Sequence, residues 1–253
     1  MNKDTLRQVL VVVAVIAVIA VNFLAVLLPL NGLDTGEISD RFEVYFVPAG
    51  YVFSIWSLIY LGLIAYAIFQ VLPSQKENPR LRAIGHIFML SCLANITWLF
   101  LWHYEVFSLT IIAMLVLLLS LIAIYLRLDI GRGQVSLAEK WSVHIPFSIY
   151  LGWISVATIA NATQWLDYLG WGGWGIAPEI WAVIILIAGV LISAMMSLQR
   201  ADIAYSLVLV WAYVGIAVKQ ASVPLVAYSA WIAAGLIVVL LVIGVYRKRQ
   251  NQN

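Results

Sequence analysis

Long uncharged stretches, separated by short charged segments, dominate the pattern of this chain. A helix needs about 20 apolar residues to cross a bilayer core of about 30 Å. Seven stretches reach that length with at most histidine as an ionisable residue, and an eighth, residues 203–218, needs its flanks to span. The pattern therefore predicts an all-α, polytopic membrane bundle of about eight transmembrane helices. The stretches are residues 8–33, 44–75, 83–104, 106–126, 141–166, 180–199, 203–218 and 220–246.

Composition supports a membrane protein and narrows the classes of partner. Hydrophobic residues make up 64% of the 253 residues and charged residues 10%, whereas a soluble domain carries about 25% charged residues. Only Arg247, Lys248 and Arg249 form a basic run, so we expect the lipid bilayer as a partner and no nucleic acid. A single cysteine, Cys92, excludes a disulfide framework and a cysteine-based zinc site. The first stretch is longer than the 7–15 apolar residues of a signal peptide, which predicts a retained helix.

The distribution of lysine and arginine predicts the orientation. Cytoplasmic connections of membrane proteins carry an excess of these residues. With eight helices and a cytoplasmic N-terminus, the outer side holds only Arg41 and Lys219. We therefore expect both termini in the cytoplasm, and a bacterial inner (plasma) membrane as the location. The basic residues on the inner side are Lys3, Arg7, Lys76, Arg80, Arg82, Arg127, Arg132, Lys140, Arg200, Arg247, Lys248 and Arg249.

Indole and amide side chains recur at similar depth on three predicted helices. The second helix carries an aromatic pair four residues apart, and the third and fifth each carry an asparagine on the same face as tryptophan. An apolar pocket with a few directed polar groups suits a flat hydrophobic ligand. The candidate ligand-binding residues are Trp56, Tyr60, Asn95, Trp98, Trp102, Trp153, Ala157 and Asn161.

Structural roles compete with this interpretation. Tryptophans gather at membrane interfaces, and we assign Trp165, Trp171 and Trp174 to such a belt. Amides also bond neighbouring helices together. For the deeper Trp98 and Trp153, packing and a pocket both remain open.

Ionisable residues are almost absent from the middle of the predicted helices, which argues against a proton-coupled pump. Lys219 lies at an outer boundary, where a retinal Schiff base is not expected. His103 and Tyr104 have the chemistry to ligate haem iron, but their position favours interfacial anchors. The segment from Leu121 to Arg127 fits a weak sterol pattern that is also typical of an inner helix end. We predict no metal site and no catalytic residues.

Four motifs in order make the first 165 residues resemble the tryptophan-rich sensory protein family, also called the translocator or peripheral benzodiazepine receptor family. The first loop ends in Val-Pro-Ala-Gly-Tyr-Val-Phe (47–53), similar to Trp-x-Pro-Pro-Gly-x-x-Phe, and continues into Trp56-x-x-x-Tyr60. The third helix carries Asn95-Ile-Thr-Trp98, similar to Leu-Asn-x-x-Trp. The fifth carries Trp153 to Asn161, similar to Trp-x-x-Phe-Ala-x-x-Leu-Asn. Ala49 replaces one proline of the family pattern.

This resemblance implies a five-helix core over residues 1–165, with residues 166–253 adding three helices. It implies a tetrapyrrole ligand, a porphyrin or haem-like molecule, bound under the first loop, with no required cofactor. A homodimer is also implied. The expected function is a receptor or sensor, with an exporter of amphiphilic molecules or a porphyrin-modifying enzyme as alternatives. The loop residues expected to cover the ligand are Tyr45, Phe46, Pro48 and Gly50.

Overall fold

The computed structural model describes residues 2–28 and 30–250 and contains eight long helices over these ranges. Seven are long and apolar enough to cross a membrane, if their preceding turns are included, and α7 is an apolar helix of 17 residues, the lower limit for a span. The predicted all-helical membrane bundle is therefore confirmed, while the orientation stays a prediction. The helices are α1 (Lys3–Leu27), α2 (Ile55–Val71), α3 (Pro79–His103), α4 (Phe107–Arg127), α5 (Ile145–Tyr168), α6 (Pro178–Arg200), α7 (Ile203–Lys219) and α8 (Pro224–Gln250).

Large apolar side chains cover much of the outer surface of the bundle. Phe23, Leu61, Leu119 and Leu191 are each more than 60% exposed. A soluble monomer rarely exposes contiguous apolar patches of this kind, so these side chains face lipid. The interior is a continuous apolar core to which all eight helices contribute.

Neighbours in sequence pack as neighbours in space for most of the bundle. α4 lies against α3 and α5, α1 lies against α3 and α2, and α6, α7 and α8 pack together. α7 also packs along α5, where Gly152 brings the backbone of α5 close to Tyr205 and Val208. A small residue at such a crossing allows close approach of two helices. The three C-terminal helices are thereby joined to the first five through α7.

A buried carboxylate anchors the start of α7. Asp202 is 6% exposed, and its side chain accepts hydrogen bonds from the hydroxyls of Tyr125 on α4 and Ser148 on α5, both at 2.7 Å. It also caps α7 by accepting from the Tyr205 backbone N–H at 3.1 Å. The sequence places Asp202 in a charged turn, and its burial against two other helices was not predicted.

Residues 30–54 connect α1 to α2 and form a folded cover, here called the lid. It contains two turns of 3₁₀ helix, Leu30–Gly32 and Gly50–Ser54, and a short helix, Thr35–Ser39. Asp34 and Glu37 form a capping box at the start of this short helix, which satisfies its free N–H groups. Part of the lid, including Ile38, Phe46 and Val52, is buried against the bundle.

His103 ties the lid to the C-terminal end of α3. Its Nδ1–H donates to the Leu30 carbonyl at 3.1 Å, and the Thr35 hydroxyl lies 3.1 Å from Nε2. His103 is fully buried, so it is not the interfacial anchor that the sequence suggested. Both ring nitrogens already have partners, which leaves neither free for haem iron.

Candidate functional site

A cavity lies under the lid and between α2, α3, α4 and α5. Met114 and Leu117 form its α4 side, and Phe53 and Pro48 contribute from the lid. Seven of the eight predicted ligand-binding residues line this cavity, which we call the chamber. They are Trp56, Asn95, Trp98, Trp102, Trp153, Ala157 and Asn161.

The indole rings form two packed groups in the chamber wall. Trp98 and Trp102, one turn apart on α3, are stacked with centroids 5.5 Å apart and planes at 18°. Trp153 meets Trp56 edge-on at 6.2 Å and Phe53 edge-on at 5.7 Å. Such offset and edge contacts are the favourable aromatic geometries. The chamber therefore has aromatic walls from α2, α3, α5 and the lid.

Asn161 serves as a bridge between helices. Its Oδ1 accepts from the Trp98 indole N–H at 3.3 Å, and its Nδ2 donates to the Thr110 hydroxyl at 2.9 Å. Asn161 thus connects α3, α4 and α5, as interhelical amides commonly do. Its polar atoms are already engaged with the protein.

Asn95 has one partnered and one unpartnered group. Its Oδ1 accepts from Asn22 Nδ2 at 2.8 Å, and the same Nδ2 donates to the Val18 carbonyl at 2.9 Å. Because both hydrogens of the Asn22 amide are used, Asn95 keeps its oxygen toward α1. Among the residues that the structure describes, none forms a hydrogen bond with the Asn95 NH₂ group, although Tyr150 lies close by. Asn22 was not predicted, and its amide in the middle of the apolar first stretch was the only signal for it.

Trp153 supplies a second unpartnered donor. Its indole Nε1–H is buried and forms no hydrogen bond within residues 2–28 and 30–250. Asn95 and Trp153 are 1% and 3% exposed. A buried donor without a partner costs about 1–3 kcal/mol, and native proteins rarely leave one without a reason. The two residues that carry these donors both line one cavity.

Polar residues at the end of the chamber next to the lid join the lid to the chamber wall. Trp102 Nε1–H donates to the Thr35 carbonyl at 3.2 Å, and Gln164 Nε2 donates to the Ser39 hydroxyl at 2.7 Å. Thr35, Ser39 and Gln164 all line the chamber. These three were missed because their roles depend on how the lid folds.

Four predicted site residues lie outside the chamber wall. Tyr60 stacks on Trp56 at 5.6 Å, and Gly50 begins the second 3₁₀ turn. Phe46 packs edge-on against Tyr213 of α7, and Tyr45 donates its hydroxyl to Glu179 of α6 at 3.0 Å. This hydrogen bond and partial burial raise the pKa of Tyr45 above its ordinary value, so the phenol remains a donor.

The chamber is small in volume. It measures about 50 Å³, enough for a few water molecules, whereas pockets for drug-sized ligands measure about 300–1,000 Å³. A planar macrocycle therefore requires that the lid or the indole rings move outward. The lid and the tryptophan side chains are the parts of the wall that can do so without separating the helices.

Comparison with known proteins gives one match. A family model described as TSPO-like protein matches residues 8–243, which include all of the six helices α2 to α7 and most of α1 and α8. No curated protein matches the chain, and no solved structure does. The match is not confined to the first 165 residues on which the motifs lie, because it extends through α6 and α7 into α8.

Proposed function

We propose that this chain, which belongs to the TSPO-like protein family, is a membrane receptor or sensor for a flat hydrophobic ligand of the tetrapyrrole class. The ligand binds in the chamber between the indole rings and under the lid. The observation that carries this proposal is the pair of unpartnered donors, Asn95 Nδ2 and Trp153 Nε1, in an aromatic wall.

A tetrapyrrole matches this wall in two ways. Its ring system offers a large apolar plane that indole faces can stack on. The carboxylate oxygens at its edge are acceptors, which the Asn95 and Trp153 donors lack. A hydrogen bond to a donor that is already buried and unpartnered recovers much of the about 1–3 kcal/mol that its isolation costs.

Binding requires the chamber to widen, and this determines its kinetics. The rings of Trp98 and Trp102 fill the α3 side, and Phe53 closes the lid side. We expect association well below the diffusion limit, since binding that depends on a conformational change lowers the association rate.

Titration of the purified protein in nanodiscs with protoporphyrin IX tests the proposal. The change in porphyrin absorbance is followed, because it does not depend on which tryptophan is replaced. Trp153→Phe keeps a ring but removes the donor, and we expect weaker binding by about tenfold, equivalent to about 1.4 kcal/mol. Asn95→Leu removes the second donor and should act in the same direction.

Trp165→Phe is the matched control. The Trp165 Nε1–H is also buried and has no partner in the described part of the chain. Trp165 does not line the chamber, so its replacement should leave the affinity unchanged. Absence of saturable binding to the unaltered protein would contradict the proposal. Equal affinities for Trp153→Phe and Trp165→Phe would also contradict it.

Flux separates a receptor from an exporter. Protein reconstituted in proteoliposomes that binds porphyrin but does not accelerate its movement across the bilayer acts as a receptor. Accelerated flux that the chamber variants abolish would instead support the exporter alternative.

A further inference from the structure

The second part of the lid along the chain, residues 45–54, is held in place by the C-terminal helices. The Ala49 backbone N–H donates to the Gly215 carbonyl at 3.1 Å. The Trp211 indole N–H donates to the Val52 carbonyl at 3.1 Å, and the Gln220 side chain donates to the Tyr45 carbonyl at 3.2 Å. All three hydrogen bonds from α7 and the residue after it therefore meet main-chain atoms of the lid, and they fix the path of its backbone rather than the position of one side chain.

Further polar contacts reach the lid from the same side. Lys219, the last residue of α7, forms an ion pair with Asp40, and Glu179 near the start of α6 accepts from Tyr45. The ion pair is exposed and contributes at most about 1 kcal/mol. The partly buried main-chain contacts are more important, because backbone groups that lose their partners away from water are costly.

Gly215 sets how closely α7 and the lid approach each other. A Cβ at this position would overlap Val52 Cγ2 and would lie 3.1 Å from Pro48 Cβ. Val52 is fully buried, so it has little room to move away. Pro48 and Phe53, on either side of Val52, both line the chamber. The contact at Gly215 is therefore one residue away from the chamber wall.

We infer that Gly215 and Trp211 of α7 are positioning residues for the chamber. They hold the lid at the depth at which Pro48 and Phe53 complete the wall, and they thereby control how fast a ligand enters and leaves. The effect on the lid stands on the contacts alone, whereas the effect on ligand exchange rests on the proposed function.

The anchoring of α7 makes it suited to this role. Its first turn is fixed to α4 and α5 through Asp202, and its length packs against α5 and α8. A lid bound to such a helix is held in a fixed position relative to the bundle core. α7 thus supports the ligand site from outside the five-helix core.

Hydrogen exchange of the lid in nanodiscs measures the first part of the inference. Gly215→Ala should displace the lid and accelerate exchange in residues 45–54 by about tenfold, equivalent to about 1.4 kcal/mol. Gly235→Ala on α8 is the matched control, because a Cβ there would meet nothing within 4 Å. The control should leave exchange in the lid unchanged.

Trp211→Phe provides a second, milder variant that removes the hydrogen bond to Val52. The phenylalanine ring keeps an edge contact with Tyr51, whose ring centroid lies 5.3 Å from that of Trp211 in the unaltered protein. Trp231→Phe on α8, where the side chain is about half exposed, is its control. Because Trp211→Phe introduces no overlap, it tests whether α7 holds the lid even if Gly215→Ala does not fold.

Stopped-flow dissociation of protoporphyrin IX measures the second part. We expect both α7 variants to release the porphyrin about tenfold faster than their controls, equivalent to about 1.4 kcal/mol. Unchanged lid exchange in Trp211→Phe would overturn the inference. Faster lid exchange with unchanged release would overturn the role in positioning the chamber. If the unaltered protein binds no porphyrin, the proposed function is wrong. The hydrogen-exchange experiment then still tests whether α7 keeps the lid in position.

Discussion

Replacement of Asp202 by alanine tests how α7 is fixed to the bundle. The change removes a buried carboxylate that accepts from Tyr125, Ser148 and the Tyr205 backbone N–H. It leaves two hydroxyls on α4 and α5 without their acceptor, in a region that water reaches poorly. We therefore expect a large loss of stability from a single residue in a turn.

The magnitude follows from the three bonds. Loss of a helix cap costs about 1 kcal/mol. A hydrogen bond from a hydroxyl to a charged group contributes about 1.5–3 kcal/mol, although interhelical bonds within a bilayer average only about 0.6 kcal/mol. We expect about 3–5 kcal/mol in total for Asp202→Ala, because Asp202 lies at the end of the bundle rather than in its middle. For a chain of this size, the corresponding decrease in Tm is about 10 °C.

Thermal unfolding in detergent, followed by tryptophan fluorescence, measures this effect. Asp129→Ala is the control, because Asp129 is 56% exposed and meets Arg200 at 3.4 Å, a surface pair that contributes at most about 1 kcal/mol. Tyr125→Phe, which removes one of the two hydroxyl bonds, should give an intermediate Tm. An Asp202→Ala protein as stable as Asp129→Ala would refute the anchoring role of this carboxylate.

Three further predictions concern packing and topology. Gly244→Ala should lower the Tm more than Gly235→Ala, because a Cβ at Gly244 would overlap the backbone of α6 and one at Gly235 would meet nothing within 4 Å. Gln70→Leu should lower the free energy of unfolding by about 1 kcal/mol, since the Gln70 amide donates to the backbone of α1. In spheroplasts, Asp167→Cys should react with a membrane-impermeant maleimide and Lys248→Cys should not, and the reverse labelling would contradict the orientation predicted from lysine and arginine.

The helices could be predicted because apolar length is a local property. Each uncharged stretch contains one long helix, including the short stretch 203–218 that became α7. The boundaries were less predictable where an uncharged stretch continues beyond its helix. Residues 44–75 are all uncharged, but α2 begins at Ile55, because the preceding residues fold as the lid against other helices.

The three tryptophans assigned to an interfacial belt show what a residue count along a helix predicts and what it does not. Trp174 is 82% exposed, and it packs with Trp171 and Trp181 at the start of α6. Trp165 differs from the other two assigned belt residues, because its indole nitrogen is buried. A count of residues from the helix end gives depth but not the direction in which a ring points.

The chamber could be predicted in part, because the residues of one helix face follow from local spacing. Asn95, Trp98 and Trp102 share one face of α3 through helical spacing alone, and all three line the cavity. The lid residues Tyr45 and Phe46 could not be placed, because their partners lie on α6 and α7, far away in sequence. No local pattern indicates that a glycine on α7 meets Val52 of the lid.

The side-chain NMR signal of Trp153 tests the central claim most directly. In protein labelled with ¹⁵N-tryptophan, the indole N–H resonance of Trp153 is assigned by its loss in Trp153→Phe and followed during titration with protoporphyrin IX. If this donor binds the ligand, its resonance shifts saturably, with the same Kd as the absorbance titration, while that of Trp165 stays in place. Saturable binding that leaves the Trp153 resonance unchanged would contradict the assignment of the chamber as the ligand site.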